Sequence, residues 1–293
     1  MVKWYTRHAD MTGATTAYVA MTLDTRNNTV TAPKIAQGYE HIKYIVADTG
    51  VDAAHTVDVG NIFVLKLSGD AMVHGDQEII IGGVSSQETA TSVTELVGYK
   101  EPFVFPTNIW VKGGQTLDMN VAYFGTDIGS PIVGVSLGLE RGRSGTPLQY
   151  RTRGDSATQA TDIYAALETK PDGSTGGFEA PTGVRSINRM LVLAVLNANS
   201  ATSIGGNNWV FEIAGDAISE TAQEICGYNT FFEAGGGTVT ATSIIYQNPA
   251  VLPVELGLKG GNSMTVGAAY KGTALGAAFV AATLELVGGQ AVG

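Results

Sequence analysis

The sequence predicts an all-β protein made of two tandem, related units, and three observations carry that prediction. Charged residues are 15% of a 293-residue chain in which glycine numbers 38 and threonine 32, whereas ordinary domains carry about 25% charge. Short runs of Val, Ile, Tyr and Thr, bounded by Gly, Asn, Asp or Pro, recur along the chain, and the apolar spacing of an amphipathic helix is scarce. A segment of the first half also returns in the second.

The repeat is dense. Val104–Glu140 overlays Val251–Val287 at an offset of 147, without a gap over 37 positions, and 13 columns are identical, where composition alone gives about two. Among them are Pro106/Pro253, Lys112-Gly113-Gly114/Lys259-Gly260-Gly261, Ala122-Tyr123/Ala269-Tyr270 and Leu137/Leu284. Upstream the offset is 146: Gly69-Asp70-Ala71 and Gln77-Glu78-Ile79 return as Gly215-Asp216-Ala217 and Gln223-Glu224-Ile225, and Tyr18 as Tyr164. Ala32-Pro33 returns as Ala180-Pro181 at 148, so length changes fall between candidate strands, where loops absorb them. The chain divides into an N-terminal arm (1–14), a first unit (15–141), a polar, locally basic linker (142–159) and a second unit (160–293) with a short C-terminal tail.

In the first unit strands are expected near Ala17–Leu23, Tyr39–Ala47, Asn61–Leu67, Glu78–Ile81, Glu95–Tyr99, Phe105–Val111, Leu117–Tyr123 and Ile132–Leu139. The second repeats them near Ile163–Glu168, Ile187–Leu196, Asn208–Ala214, Glu224–Cys226, Val239–Tyr246, Val254–Leu258, Met264–Tyr270 and Phe279–Leu286. Lys112-Gly113-Gly114-Gln115 and Lys259-Gly260-Gly261-Asn262 read as tight hairpins, since paired glycines supply positive φ. Ser85–Thr94 reads as one or two helical turns behind a capping hydroxyl. Eight short strands per unit favour closure over an open sheet with bare edges. They match two eight-stranded jelly-roll barrels related by internal duplication, and Greek-key sandwiches with seven or nine strands stay open as an alternative.

A formal charge of −10 and a pI of about 4.8 disfavour direct nucleic-acid binding, which needs Lys and Arg to displace counterions. Cys226, the single cysteine, allows no internal disulfide and reads as a small buried hydrophobe. Met1-Val2-Lys3-Trp4-Tyr5 has no apolar leader. The apolar stretches Met190–Leu196 and Ala274–Val287 are too short or carry Glu285, against about 20 residues for a spanning helix. A soluble chain is expected.

Catalytic motifs are missing: there is no phosphate loop, nucleophile elbow or His-Glu-x-x-His. His8, His41, His55 and His74 lack metal-ligand spacing, and the carboxylates lack a calcium-loop pattern. Asp48-Thr49-Gly50 follows an apolar run as in an aspartic protease, whose mechanism needs two carboxylates sharing a proton. The second copy places Ala194, Val195 or Leu196 opposite Asp48, so an ordinary turn is the better reading. Arg153-Gly154-Asp155 in the linker looks like an integrin-binding tripeptide, a short match. Tyr123 and Tyr270 read as repeated strand positions. No enzyme activity, cofactor or metal is expected.

A weakly charged, disulfide-free β protein with two similar halves suits assembly, because low surface charge reduces the desolvation cost of burying large areas. In its architecture of two tandem barrels, linker and short arm, over roughly Thr15 to Gly289, the chain resembles the double jelly-roll major capsid proteins. These are the adenovirus-hexon and tectivirus-like group of tailless icosahedral viruses. The resemblance rests on no diagnostic motif. It implies upright barrels, a homotrimer acting as a pseudo-hexagonal capsomer, contacts with neighbouring trimers and with minor capsid or vertex proteins, and residence in the virion after assembly in the host cytoplasm. The arm Met1–Gly13, with Lys3, Trp4, Tyr5, Arg7 and His8, then reaches toward an internal membrane or an adjacent trimer. A surface adhesin, fibre or carbohydrate-binding sandwich is the alternative. A sliding clamp would need basic helices, and a protease acting through Asp48 is the remote reading.

Overall fold

The computed structural model describes residues 1–11, 17–22, 31–51, 59–87, 94–97, 101–125, 131–157, 164–196, 204–219, 221–233, 241–272 and 278–289. Among these it is all-β, with four sheets and no helix. In the first half, β1 (Lys3–Asp10), β3 (Tyr39–Val51), β7 (Phe103–Trp110) and β9 (Pro131–Arg141) form an antiparallel sheet in the order β1-β9-β3-β7. Facing it are β2 (Val19–Ala20), β4 (Val59–Ser68), β5 (Gln77–Gln87) and β8 (Asp118–Gly125), in the order β2-β8-β4-β5.

The second half runs the same way. β10 (Leu148–Ala157), β13 (Val184–Leu196), β17 (Ala250–Gly257) and β19 (Ala278–Gly288) take the order β10-β19-β13-β17. β11 (Ala165–Ala166), β14 (Ile204–Ala214), β15 (Gln223–Glu233) and β18 (Ser263–Gly272) take the order β11-β18-β14-β15, with β12 (Phe178–Glu179) also on β18. Registers correspond as well, since Arg7 faces Val135 and Arg153 faces Ala282. The bulge after Phe63 on β4 returns after Trp209 on β14, and the one between Ile42 and Tyr44 returns between Ile187 and Arg189. One strand crosses over: β16 (Ala241–Gln247) joins the first half's sheet, antiparallel to β5 and parallel to β6 (Thr94–Val97).

Period-two alternation builds each core. On β9, Val133, Val135, Leu137 and Leu139 point inward among Ile42, Phe63, Leu65 and Phe105, while Ile132 stays exposed. The matching strand of the second half, β19, is buried almost throughout, because its second face is covered by the first half. Its inner residues Val280, Ala282, Leu284 and Leu286 pack with Trp209, Phe211 and Tyr270.

Several expectations change. The arm is no arm: Lys3–Asp10 is an edge strand registered along β9. The linker is mostly strand, as Leu148–Ala157 pairs with β19 over ten positions. Ser85–Gln87 continues β5 instead of opening a helix, and residues 88–93 lie outside the described ones. The Gly-Gly turns are corners between facing sheets and not hairpins, because β7 and β8, like β17 and β18, belong to different sheets.

At these corners the two glycines serve different purposes. Gly114 and Gly261 hold φ of 83° and 85°. Gly113 lacks room instead: a Cβ there would stand 2.9 Å from Gly38 N and 3.1 Å from Ala36 O, and one on Gly260 would meet Pro181 O at 3.0 Å. Backbone cannot yield as a side chain can. Gly113→Ala is therefore expected to cost about 3 kcal/mol and Gly114→Ala about 1 kcal/mol, read as a shift of the urea midpoint at constant slope.

Candidate functional site: the junction between the halves

An extended polar constellation lies where the halves meet. The outer face of β4, β5 and β8 packs against the outer face of β10, β13 and β19, so unlike sheets are in contact. Ile62, Val64, Ile80 and Phe124 interleave with Leu193, Val195 and Ala281, all buried. Small residues permit the approach: a Cβ on Gly83 would stand 2.7 Å from Leu193 Cδ2, and one on Gly154 would stand 3.2 Å from Phe124 Cδ1.

Burying a strand there leaves its backbone in need of partners. Thr152 Oγ1 donates to Glu78 O at 2.8 Å, Ile80 N donates to Thr283 Oγ1 at 3.0 Å, and the two hydroxyls lie 2.7 Å apart. Tyr150 N donates to Gln77 Oε1 at 2.7 Å. The Glu78 carboxylate receives Arg153 Nη1 at 3.1 Å and Tyr18 Oη at 3.3 Å. Burial, reinforced by the Glu78 charge, raises the Tyr18 pKa far above the usual phenol range. The repeat preserves the tyrosine–carboxylate pair: Tyr164 Oη donates to Glu224 Oε1 at 2.7 Å, and its pKa is pushed up to about 12 by desolvation and that carboxylate.

A buried carboxylate closes one end of the junction. Glu285 is inaccessible, with Oε1 accepting from Asn188 Nδ2 at 2.6 Å and Arg189 Nε at 2.9 Å. Its Oε2 accepts from Tyr150 Oη at 2.9 Å and Arg189 Nη2 at 2.5 Å. Burial raises the pKa of Tyr150, helped by the Glu285 charge. Tyr150 Oη also lies 2.8 Å from Thr107 Oγ1, and Arg189 Nη2 reaches Pro106 O at 3.1 Å, so the network ties β19 to β7 of the first half. Four donor contacts thus converge on the two oxygens of Glu285 and fix the side chain in place.

Beside the junction opens a cavity of about 550 Å³ lined by Arg151, Arg153, Lys170, Glu179 and Thr182. Arg151 donates to Asp76 O and Tyr150 O, ion-pairs with no carboxylate among the described residues, and has its pKa lowered by burial. Such a fork suits the oxygens of a carboxylate or phosphate. The repeat-equivalent position in the first half is Tyr5, whose Oη accepts from Ala36 N at 2.9 Å.

Residues singled out in the sequence scatter. Asp48 is exposed on β3, its Oδ1 accepting from Thr49 N at 2.9 Å. Register pairs Asp48 with Gly134 and Leu193 with Ala281, so its counterpart is Leu193, one residue before the span expected. His41 Nδ1 lies 2.7 Å from Gly142 O, His74 packs on Trp110, His8 lies over Gly134, and His55 falls outside the described residues. No group of three or more metal-ligating side chains occurs among the described residues. Arg153-Gly154-Asp155 sits within β10, with Arg153 and Gly154 buried, so no linker displays it. Cys226 is exposed, contrary to expectation, with Sγ 3.0 Å from Asn208 Oδ1. Tyr123 and Tyr270 are buried strand positions.

No protein-family model and no curated protein matches the chain. Among solved structures, PNGF-II in two crystal forms is similar at TM-scores of 0.39 and 0.38 with 10% and 9% identity, over 98% and 99% of this chain. The chain spans 66% and 65% of those structures' length. Viral capsid proteins are also among the similar structures. Infectious bursal virus-derived T=1 particles give a TM-score of 0.22 at 10% identity, over 100% of this chain and 75% of that one, and the Gx strain of infectious bursal disease virus gives 0.18 at 12%. Likenesses this distant carry no argument about activity or partners.

Removing one member of a buried ionic network strands the other. Glu285→Ala is therefore expected to lower the unfolding free energy by about 4 kcal/mol, measured by denaturant titration at fixed protein concentration.

Proposed function

We propose that this chain is the major capsid protein of a tailless icosahedral virus, a double jelly roll that trimerises into a pseudo-hexagonal capsomer and tiles the shell. The matched strand orders, β1-β9-β3-β7 with β2-β8-β4-β5 and β10-β19-β13-β17 with β11-β18-β14-β15, support the jelly-roll and duplication reading. The observation that carries the function is the junction of unlike faces. A contact between different faces of like units leaves the complementary pair unused, and repeating it either closes a ring or extends a line. Two units per chain make three chains a six-unit ring. On this reading the protein resides in the virion, assembles in the host cytoplasm and meets neighbouring trimers and minor capsid proteins, while the acidic body does not grip the genome.

The same contact favours a second reading. If it fails to close, the product is a fibre, as for an adhesin subunit. Analytical ultracentrifugation with negative-stain microscopy separates the two. The expected species holds three chains of 30.5 kDa with a six-sided outline; a monomer at all concentrations would overturn the capsid reading, and filaments would favour the fibre. Deleting residues 2–13 removes β1 from its sheet and is expected to abolish trimers, as seen by size-exclusion chromatography.

A further inference from the structure

We propose that a second copy of this chain docks the outer face of its β1, β3 and β9 against the outer face of β14, β15 and β18, and against β17, of the first, remaking between chains the junction that joins the halves within one. The proposal rests on the trimer reading above and gives it a surface.

The repeat-equivalent groups are already set. Thr6 Oγ1 and Ser136 Oγ lie 2.8 Å apart, as Thr152 and Thr283 lie 2.7 Å apart. Arg7 Nε and Nη1 donate to Thr31 O and Thr6 O at 3.0 and 2.8 Å, where Arg153 Nε and Nη1 donate to Gly176 O and Thr152 O at 2.6 Å each. On the receiving edge, Glu224 holds Tyr164 as Glu78 holds Tyr18. Gln223 Nε2 donates to Thr221 O at 2.8 Å, as Gln77 Nε2 donates to Gly75 O at 2.8 Å. Glu78 and Ile80 are covered by the second half, whereas their counterparts Glu224 and Cys226 are exposed.

At two places where the surfaces differ from the internal junction, both sides change together. Inside the chain, Tyr150 and Arg189 meet Thr107 and Pro106 through polar contacts. Their counterparts are Trp4, 46% exposed and stacked on Tyr44 at 6.3 Å, and Tyr44 itself. Opposite these would stand Pro253 and Val254, so apolar meets apolar. Phe124 and Leu193, joined in one internal cluster, become Lys271 and Asp48, which carry opposite charges. A large aromatic with matched charges around it suits an interface between copies.

The test uses the chain's one native cysteine. Thr283 Oγ1 lies 3.0 Å from Ile80 N, so Ser136→Cys should place a thiol against Cys226 of the neighbouring copy. Mild oxidation of S136C is expected to give covalent species that end at three chains, while the wild type and the S136C/C226S chain stay unlinked. Absence of the link in a sample that sediments as a trimer overturns this surface and leaves the trimer reading standing. Sedimentation as a monomer throughout overturns both. A ladder beyond three chains supports the surface and overturns closure at three. Glu224→Arg, with an unchanged circular dichroism spectrum, is expected to raise the half-dissociation concentration by about thirtyfold or more; an unchanged value overturns the proposal.

Discussion

Two hydroxyl groups govern how the halves sit. The stretch of β5 around Glu78 and Ile80 is sealed against the second half by an apolar layer, and its carbonyl and amide need partners on that side. A buried backbone group left without a hydrogen bond costs about 1–3 kcal/mol. Thr152 and Thr283, on adjacent strands, supply a donor and an acceptor at once. That demand fixes the register of the contact, and the rest follows. β19 is covered on both faces, and Glu285 is carried into a site where it must be ionically paired.

The two halves carry different side chains at matching strand positions. Glu285 in the second half is Gly138 in the first, where the Trp4 ring lies over the empty space. Arg151 beside the cavity is Tyr5 in the first half, bound to the Ala36 amide. The core strands stay apolar at their inward positions through these exchanges, with Phe63 and Leu65 matched by the larger Trp209 and Phe211 and Val135 by the smaller Ala282, so that gains and losses of volume offset within a packed interior.

Strands bounded by turn residues were legible where alternation was clean, as on β9, and where a short apolar run marked a strand buried on both faces, as on β13 and β19. β1 and β10 were not. In Lys3-Trp4-Tyr5-Thr6-Arg7-His8 and Arg151-Thr152-Arg153, polar groups occupy positions that a half-buried strand would fill with apolar ones, so both segments read as arm and linker. Their partners are distant: Arg7 is held by Thr31 O and Arg153 by Gly176 O and Glu78. The junction was half visible, since the Gln-Glu-Ile triplets and the Tyr18/Tyr164 pair stood out before their hydrogen bonds were known. Glu285 looked like an interruption of an apolar run, and its partners Arg189, Asn188 and Tyr150 lie 96, 97 and 135 positions away.

The crossing of β16 into the first half's sheet bears on how the chain matures. β5 leaves the ribosome 154 or more residues ahead of β16, a delay of about 10–30 s at ordinary synthesis rates. Throughout that delay the nascent first half shows a bare strand border, the kind of edge on which neighbouring polypeptides aggregate. The early half of the molecule thus holds most of its core within itself, while the border of one of its sheets gains a partner only from the late half.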